Sequence, residues 1–317
     1  MKKLISIVVP AHNEIASLSS FLEDQLLTEL SKIKGYDFEI IFVDDGSTDG
    51  TLDLLQEYST RSKNFRVISF SRNFGKEMAL TAGLRYARGD AAITIDADGQ
   101  QPPKLIPTLL EEWEKGADIV VGVRDHYTKH GFIARNGSRL FYWLLRRMGN
   151  HYTVAGSTDF RLISRPVLDE FNQLPEHSRI TRGLIDWLGF TPKYVKYTYG
   201  TRLAGKPSYN LKKLFRLAID SFVSMSTTPL VIFGYIGIII TLLSGFLGLF
   251  CLINQYLLGD PLHLYWPGTL QMAILITFLV GLVLISQAMT ALYISSIHTE
   301  SLGRPLFIVN KKESRNL

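Results

Sequence analysis

Residues 94–103 read "TIDADGQQPP". Asp96 and Asp98 stand one residue apart, directly after the apolar, β-branched run "AAITI". Side chains at i and i+2 of a strand point to one side, so continued extended backbone makes the two carboxylates converge. Like charges that close disfavour each other's ionisation unless a cation lies between them. Carboxylate oxygens with open positions suit Mg²⁺ or Mn²⁺, which keep several waters and bind substrate phosphates. Gln100 continues the same spacing and adds an oxygen. A D-x-D pair alone is common on surface turns; here its place at the end of a buried-strand pattern makes Asp96, Asp98 and Gln100 metal candidates.

The surroundings of this stretch set the fold class. Four short apolar runs, "LISIVV", "FEIIFV", "FRVISF" and "AAITI", have the composition of buried parallel strands. Helical stretches separate them at about 15–33, 50–61, 75–88 and 103–115. "DGSTDGT" offers a turn and a helix N-cap, and Pro102 and Pro103 open the fourth helix. Such alternation predicts a doubly wound α/β sheet over residues 1–125. Ligands of these sheets sit at the carboxyl ends of the strands. Polar clusters fall at all four ends: "PAHNE", "DDGSTD", "SRNFGK" and "DADGQ".

Composition narrows the partners. The net charge of +5 points to anions: phosphate ligands, an anionic membrane face or nucleic acid. The single cysteine, Cys251, can form no internal disulfide. At the N-terminus the apolar run Leu4–Val9 is short and is followed by Pro10 and Glu14, so it reads as a first strand and not as a cleaved signal.

Two C-terminal stretches carry no charged residue, Leu230–Ile253 and Leu264–Ile297. About 20 helical residues cross a hydrocarbon core of ~30 Å, and a charge at mid-bilayer costs about 2.5–3.5 kcal/mol. Both stretches are therefore expected to span a membrane, within a segment 229–297. The connector "NQYLLGDPLHLYWPG" lacks Lys and Arg, whereas Lys206, Lys212, Lys213 and Arg216 precede the first stretch and Arg304, Lys311, Lys312 and Arg315 follow the second. The positive-inside bias places both termini in the cytoplasm, with 298–317 as a basic tail. Residues 131–149 and 208–228 pattern as basic amphipathic helices suited to a membrane interface or to packing on the N-terminal domain. Gly234, Gly237, Gly245 and Gly248 offer small-residue surfaces on which protomers can pack as a homo-oligomer.

"SIVVPAHNE", "EIIFVDDGSTDGT", "SRNFGKEMALTAGL" and "ITIDADGQQPP" together resemble family 2 glycosyltransferases of the GT-A, Rossmann-like fold. With the C-terminal stretches, nearly the whole chain resembles the polyisoprenyl-phosphate glycosyltransferases, relatives of dolichol-phosphate mannose synthase. The resemblance implies a catalytic domain over 1–207, a nucleotide-sugar donor and a polyisoprenyl phosphate acceptor. It implies that Pro10, Ala11, Asn13 and Glu14 contact the nucleotide and that an aspartate of "VDDGS" reads the base. Asp44 is the choice, because an acceptor carboxylate pairs with a base N–H, and Asp45 then shapes the turn. Arg72 and Lys76 are expected at phosphates. The chain departs from the family at His12, where Tyr is frequent, and at Gly99, where Leu is frequent.

On the acceptor side, "AGSTDFRLI" matches a family segment with a functional aspartate, here Asp159, with Arg161 two residues on. Asp159 and Asp98 are thus the expected catalytic carboxylates. A lipid monophosphate is already anionic near neutral pH, with a second pKa of about 6, so Asp159 is expected to orient the acceptor or a cation more than to remove a proton. Arg202 and Lys206 in "YGTRLAGKPSYN" match a family segment assigned to phosphate contacts, and an arginine fork with a lysine suits that task. The expected reaction is inverting transfer, with a UDP-sugar such as UDP-glucose as donor, at the cytoplasmic membrane face. Rival readings are a membrane scaffold with a relict domain, a polysaccharide synthase, for which the Q-x-x-R-W motif is missing, and a nucleotidyltransferase, for which residues 8–16 lack glycine. Nucleic acid is not an expected partner, since no recognisable reading helix is present.

Overall fold

The four apolar runs become four parallel strands: β1 (Lys3–Ala11), β2 (Tyr36–Asp44), β3 (Phe65–Ser69) and β4 (Ala91–Thr94). These belong to a computed structural model that describes residues 2–124, 157–177, 179–198, 253 and 268–317. Alternation of side chains along β1 feeds two layers. Ile5, Ile7 and Val9 pack with Leu18, Phe21, Leu22, Leu55 and Leu109 on one face. Val8 packs with Ala79, Ala82, Leu84 and Phe171 on the other. The helices supplying these residues lie where the sequence places them: Ile15–Ser20 continuing through Phe21–Leu27 into Thr28–Lys32, then Thr51–Arg61, Lys76–Tyr86 and Ile106–Glu114.

Three further strands complete the sheet: β5 (Ile119–Arg124), β6 (Ser157–Ser164) and β7 (Pro192–Tyr197). The order is β3-β2-β1-β4-β6-β5-β7. β6 runs antiparallel to both β4 and β5, while β7 is parallel to β5. The fold is α/β and GT-A-like; the strands within residues 1–125 are parallel, as the alternation predicts, and the sheet is mixed through β6, which lies beyond them. The reversed direction of β6 has a consequence for the site, because its first residues lie beside the carboxyl end of β4.

The contacts of the chain divide into two units, Met1–Ser208 with Arg304–Leu317, and Tyr209–Gly303. In the first, the expected basic tail is not loose: Arg315 bridges Val67 and Val309 bridges Phe70, both antiparallel, along the outer edge of β3. Beneath this edge Arg66 and Glu39 form a buried pair at 2.9 Å. Glu39 also accepts from the Ser6 hydroxyl and the Arg88 N–H, and Arg66 donates to the carbonyls of Tyr86 and Asn316. Of the second unit, Gly268–Ser301 is a 34-residue helix. Counted over the described residues, no helix is long and apolar enough to cross a membrane. The stretch Leu230–Ile253 (Ile253 apart), the helices expected at 131–149 and 208–228, and Arg202 and Lys206 lie outside the described residues.

Two substitutions test this packing. Gly83 in Lys76–Tyr86 lies against β1, and a Cβ there would sit 2.2 Å from Val8 Cγ1 and 3.3 Å from Val43 Cγ2. Val8 is fully buried and β-branched, hence stiff. Gly83→Ala is expected to destabilise by roughly 1–3 kcal/mol through overpacking, against a helix-propensity gain of about 1 kcal/mol. Adding Val8→Ala should return part of the loss in thermal melts. Arg66→Met leaves Glu39 buried and unpaired and is expected to cost about 3–5 kcal/mol, more than the double change with Glu39→Leu. Denaturant unfolding of the two variants reads that order directly.

Candidate active site

β1 and β4 are neighbours whose chain continuations lead toward opposite ends of the strand order, to β2 and to β5, and ligands of such sheets bind in a crevice at the carboxyl ends of strands so placed. On one side of it the tips of β1 and β2 are in register, Pro10 with Val43 and Ala11 with Asp44. Past Ala11 the chain turns sharply, with Asn13 at φ 55°. Asn13 ties this turn to the loop after β2: its N–H donates to Ser47 Oγ at 3.0 Å, and its side-chain oxygen accepts from Thr48 N–H at 2.8 Å. Glu14 N–H donates to Thr51 Oγ1, and its carboxylate accepts from Ser17 Oγ at 2.8 Å. His12 stays exposed, its Nε2 3.0 Å from the Asn73 side-chain nitrogen.

The adjacent aspartates differ in their partners. Asp45 accepts from Phe74 N–H at 2.6 Å and from Gly75 N–H at 2.9 Å, which fixes the entry to the helix Lys76–Tyr86. Asp44 is 1 % exposed and receives longer bonds, from Ser47 N–H at 3.3 Å and Ser69 Oγ at 3.5 Å. Burial pushes both carboxyls above their ordinary range, opposed by these hydrogen bonds and by nearby His12. Gly46, at φ 65°, lets the loop pass against Arg72: a Cβ there would come within 2.6 Å of the Arg72 carbonyl carbon. Arg72 itself is exposed, its guanidinium 4.7 Å from the Phe74 ring centre.

On the other side of the crevice a cation sits among carboxylates. Lys76 Nζ lies 2.7 Å from Asp96 Oδ1 and 3.1 Å from Asp159 Oδ2. Three elements meet here: Lys76 opens its helix, Asp96 follows β4, and Asp159 stands near the start of antiparallel β6. The Thr94 hydroxyl donates to the Asp159 carbonyl, closing the β4–β6 seam at this point. Burial works against the charge of Lys76, but Asp96 and Asp159 outweigh it and hold its pKa above the ordinary value. For Asp159, burial is outweighed by Lys76, Arg182 and Arg161, which keep its carboxyl below the usual range. For Asp96, burial wins over Lys76, helped by the negative charges of Asp159 and Asp98, and the carboxyl lies above its range.

Asp98 is close enough to act on Asp96, but not by the extended geometry expected. β4 ends at Thr94, and the chain turns through Ala97–Gly99, with Gly99 at φ 71°. That left-handed conformation suits the glycine found there. Asp98 Oδ1 accepts from Gln100 N–H at 3.0 Å, which closes the turn. The side chain that grips Asp96 is Gln101: its oxygen accepts from Asp96 N–H at 2.9 Å and its nitrogen donates to Asp96 Oδ2 at 2.7 Å.

Pro10, Ala11, Asn13, Glu14 and Asp44 thus gather on one side of the crevice, and Lys76, Asp96, Asp98 and Asp159 on the other. Arg161 does not line it. It is 2 % exposed, pairs with Asp186 at 3.4 Å and donates to the Thr158 carbonyl. It shares a strand face with Asp159, as i and i+2 require, and so lends positive potential from behind; the expected direct substrate contact is replaced by a backing charge. Gln101, Glu77 and Arg182 went unread in the sequence. Gln101 was legible only as the neighbour of Gln100. Glu77, which accepts Thr181 N–H at 2.8 Å and is pushed up by burial and Asp159, stood in the quoted "SRNFGKE". Nothing near Arg182 marked it.

Among the described residues no group of three or more His, Cys, Asp or Glu could by itself hold a metal ion. Asp96 and Asp98 supply hard oxygen donors, and Gln101 keeps Asp96 from swinging away. This set fits a hard divalent cation of the kind that takes one or two carboxylates and completes its shell with water and substrate phosphate.

The family model for glycosyl transferase family 2 matches residues 6–171. The chain is 36 % identical over 306 residues to the uncharacterized glycosyltransferase YkcC of Bacillus subtilis (strain 168), covering 96 % of this chain and 93 % of that one. It is 36 % identical over 312 residues to the SfII prophage-derived bactoprenol glucosyl transferase of Shigella flexneri, covering 98 % and 99 %. It is 34 % identical over 307 residues to the prophage bactoprenol glucosyl transferase homolog of Escherichia coli (strain K12), covering 97 % and 98 %. Among solved structures, mannosyl-3-phosphoglycerate synthase from Rubrobacter xylanophilus aligns with TM-score 0.48 and 20 % identity over 69 % of this chain and 71 % of that one. The chain belongs to glycosyl transferase family 2 and is a glycosyltransferase.

Proposed function

We propose that the chain transfers a sugar, with inversion, from a nucleoside diphosphate sugar to a polyisoprenyl phosphate at the cytoplasmic face of a membrane. The observation that carries the reading is the ammonium of Lys76 held between Asp96 and Asp159 at the sheet's carboxyl edge. One side of that cluster faces the strand tips assigned to the nucleotide, and Asp159 carries the match to the acceptor aspartate. Relatives spanning nearly the whole chain are named bactoprenol glucosyl transferases, which supports the lipid acceptor and makes UDP-glucose the favoured donor. A polyisoprenyl tail leaves a bilayer at a cost of about 0.8 kcal/mol per CH₂, so the chemistry must come to the surface. The uncharged stretches Leu230–Ile253 and Leu264–Ile297 support two membrane spans.

In this reading Asp44 accepts an N–H of the base, with Pro10, Ala11, Asn13 and Glu14 shaping the nucleotide's bed. Asp98, with Asp96 and Gln100, would hold Mg²⁺ or Mn²⁺, which supplies charge neutralisation for the leaving diphosphate. Lys76 brings a second positive charge to the same place, and Arg72 meets phosphate from the loop before it. Asp159 orients the incoming phosphate through Lys76 and needs to take no proton, since the acceptor is already an anion. Arg202 and Lys206 complete the acceptor side as phosphate ligands.

Three measurements bear on this reading. Detergent-purified protein with undecaprenyl phosphate, Mg²⁺ and a panel of nucleotide sugars should give one glycosylated lipid by mass spectrometry, of inverted anomeric configuration by NMR. No product with any donor would sink the assignment, and retained configuration would sink the mechanism. Asp159→Asn is expected to keep turnover within about ten-fold of the parent with an unchanged pH profile; a loss of 10²–10⁴-fold with the acidic limb abolished is the signature of a general base. Lys76→Met, which removes a charge aimed at the reacting phosphates, should lower kcat by about 10²-fold or more, measured at saturating donor and acceptor.

A further inference from the structure

β3 ends the sheet on one side, and a bare edge strand exposes unpaired N–H and C=O groups. Residues 304–317 cover this edge. Val67 and Arg315 exchange both backbone hydrogen bonds, at 3.0 and 2.9 Å. The Ser69 carbonyl accepts from Asn310 N–H at 2.8 Å, and Ser71 N–H donates to the Ile308 carbonyl at 3.0 Å. Phe307 stacks on Phe70 with ring centres 5.1 Å apart. Between Asn310 and Ser314 the chain bulges into a turn. The N–H groups of Glu313 and Ser314 close back onto the Asn310 carbonyl at 3.2 and 3.0 Å, and Ser314 Oγ accepts from Ser69 N–H at 3.0 Å. Gln56 anchors the turn from outside by donating to the Glu313 carbonyl at 2.7 Å.

The turn sets a carboxylate against the base-reading side of the crevice. Glu313 Oε2 lies 3.4 Å from Ser69 Oγ, and Asp44 Oδ2 lies 3.5 Å from the same oxygen. Ser69 is buried and has one hydroxyl proton to give. Both distances are long for an O–H···O bond, so the proton closes on one carboxylate at the expense of the other. If Asp44 takes it, one of the lone pairs that Oδ2 can offer a base N–H is engaged. If Glu313 takes it, Asp44 Oδ2 is released toward the crevice, leaving only the 3.4 Å approach of Ser47 N–H on that oxygen.

We propose that Glu313 is a positioning residue of the donor site: by drawing the Ser69 hydroxyl to itself, it frees Asp44 to accept the N–H of the nucleobase, so the C-terminal segment is part of nucleotide recognition. The inference rests on the assignment of Asp44 to the base. It makes the segment 304–317 a component of the donor pocket as well as an edge cover.

The test is calorimetric titration of the full-length protein with UDP, and in parallel with GDP, in the presence of Mg²⁺. Glu313→Ala should weaken binding of whichever nucleotide the parent binds by about five-fold, the scale of one neutral hydrogen bond. Glu313→Gln, whose amide oxygen still accepts, should retain most of the affinity. Ser69→Ala removes the contested proton, so Glu313→Ala should have no effect in that background, and the double variant should regain the parent affinity. A merely structural role predicts the opposite, equal losses in both backgrounds that track a lowered melting temperature. Unchanged affinity in Glu313→Ala, or equal losses in the two backgrounds, overturns the inference while leaving the donor assignment standing. If the parent binds neither nucleotide, the donor assignment falls and the inference with it.

Discussion

Everything at the carboxyl edge of this sheet is organised by one ammonium group between two carboxylates. Lys76 stands within 2.7 Å of Asp96 and 3.1 Å of Asp159, and its positive charge offsets the repulsion between the two acids. The three residues come from a helix N-terminus, a parallel strand's tip and the start of an antiparallel strand. Only a sheet whose order reverses at β1 and β4, and whose next strand runs backward, brings them together. The electrostatic asymmetry follows from the same arrangement. Asp159, backed by Arg161 and Arg182, is held in its charged form, while Asp96, beside Asp98 and Asp159, is pressed toward protonation. A second positive charge near Asp96 and Asp98 would relieve that pressure, which supports the proposal of a divalent cation there.

The rest of the domain serves to hold these tips still. Asp45 gives up both oxygens to the backbone of Phe74 and Gly75 and so fixes where Lys76 begins. Gln101 pins both ends of Asp96, and Thr94 pins the carbonyl of Asp159. Arg66 and Glu39, buried under β3, bind the far edge to the returning C-terminal segment. Polar groups at this depth are tolerated because nearly all find partners, and their demand for partners is what fixes the loops.

Much of this was legible in the sequence, and the reasons for the remainder are physical. The apolar runs of β1 to β4 and the helices between them carry strong local signals, because burial on two faces demands β-branched residues in short blocks. The tips were legible for the same reason, since "DDGSTD" and "DADGQ" interrupt such blocks with charge. Strand direction has no such signal. β6, "STDFRLIS", carries Asp159 to β4 only because it runs antiparallel, and Arg161 reads like a surface ligand until pairing with Asp186 places it inside. The i, i+2 geometry for Asp96 and Asp98 failed because β4 ends at Thr94 and the chain is already turning at Ala97 and Asp98. The return of residues 304–317 to β3 went unread because the short apolar run "LFIV" reads as part of a basic tail, and "NKKESRN" beyond it is polar and holds the sheet largely through backbone bonds.

The most direct measurement of the central claim is the position of a bound Mn²⁺, located by its anomalous scattering in the protein complexed with UDP. The account predicts the ion beside Asp98 at the carboxyl end of β4, with the base reaching Asp44 across the crevice. An ion bound away from β4, or UDP lying with its base remote from Asp44, would contradict it.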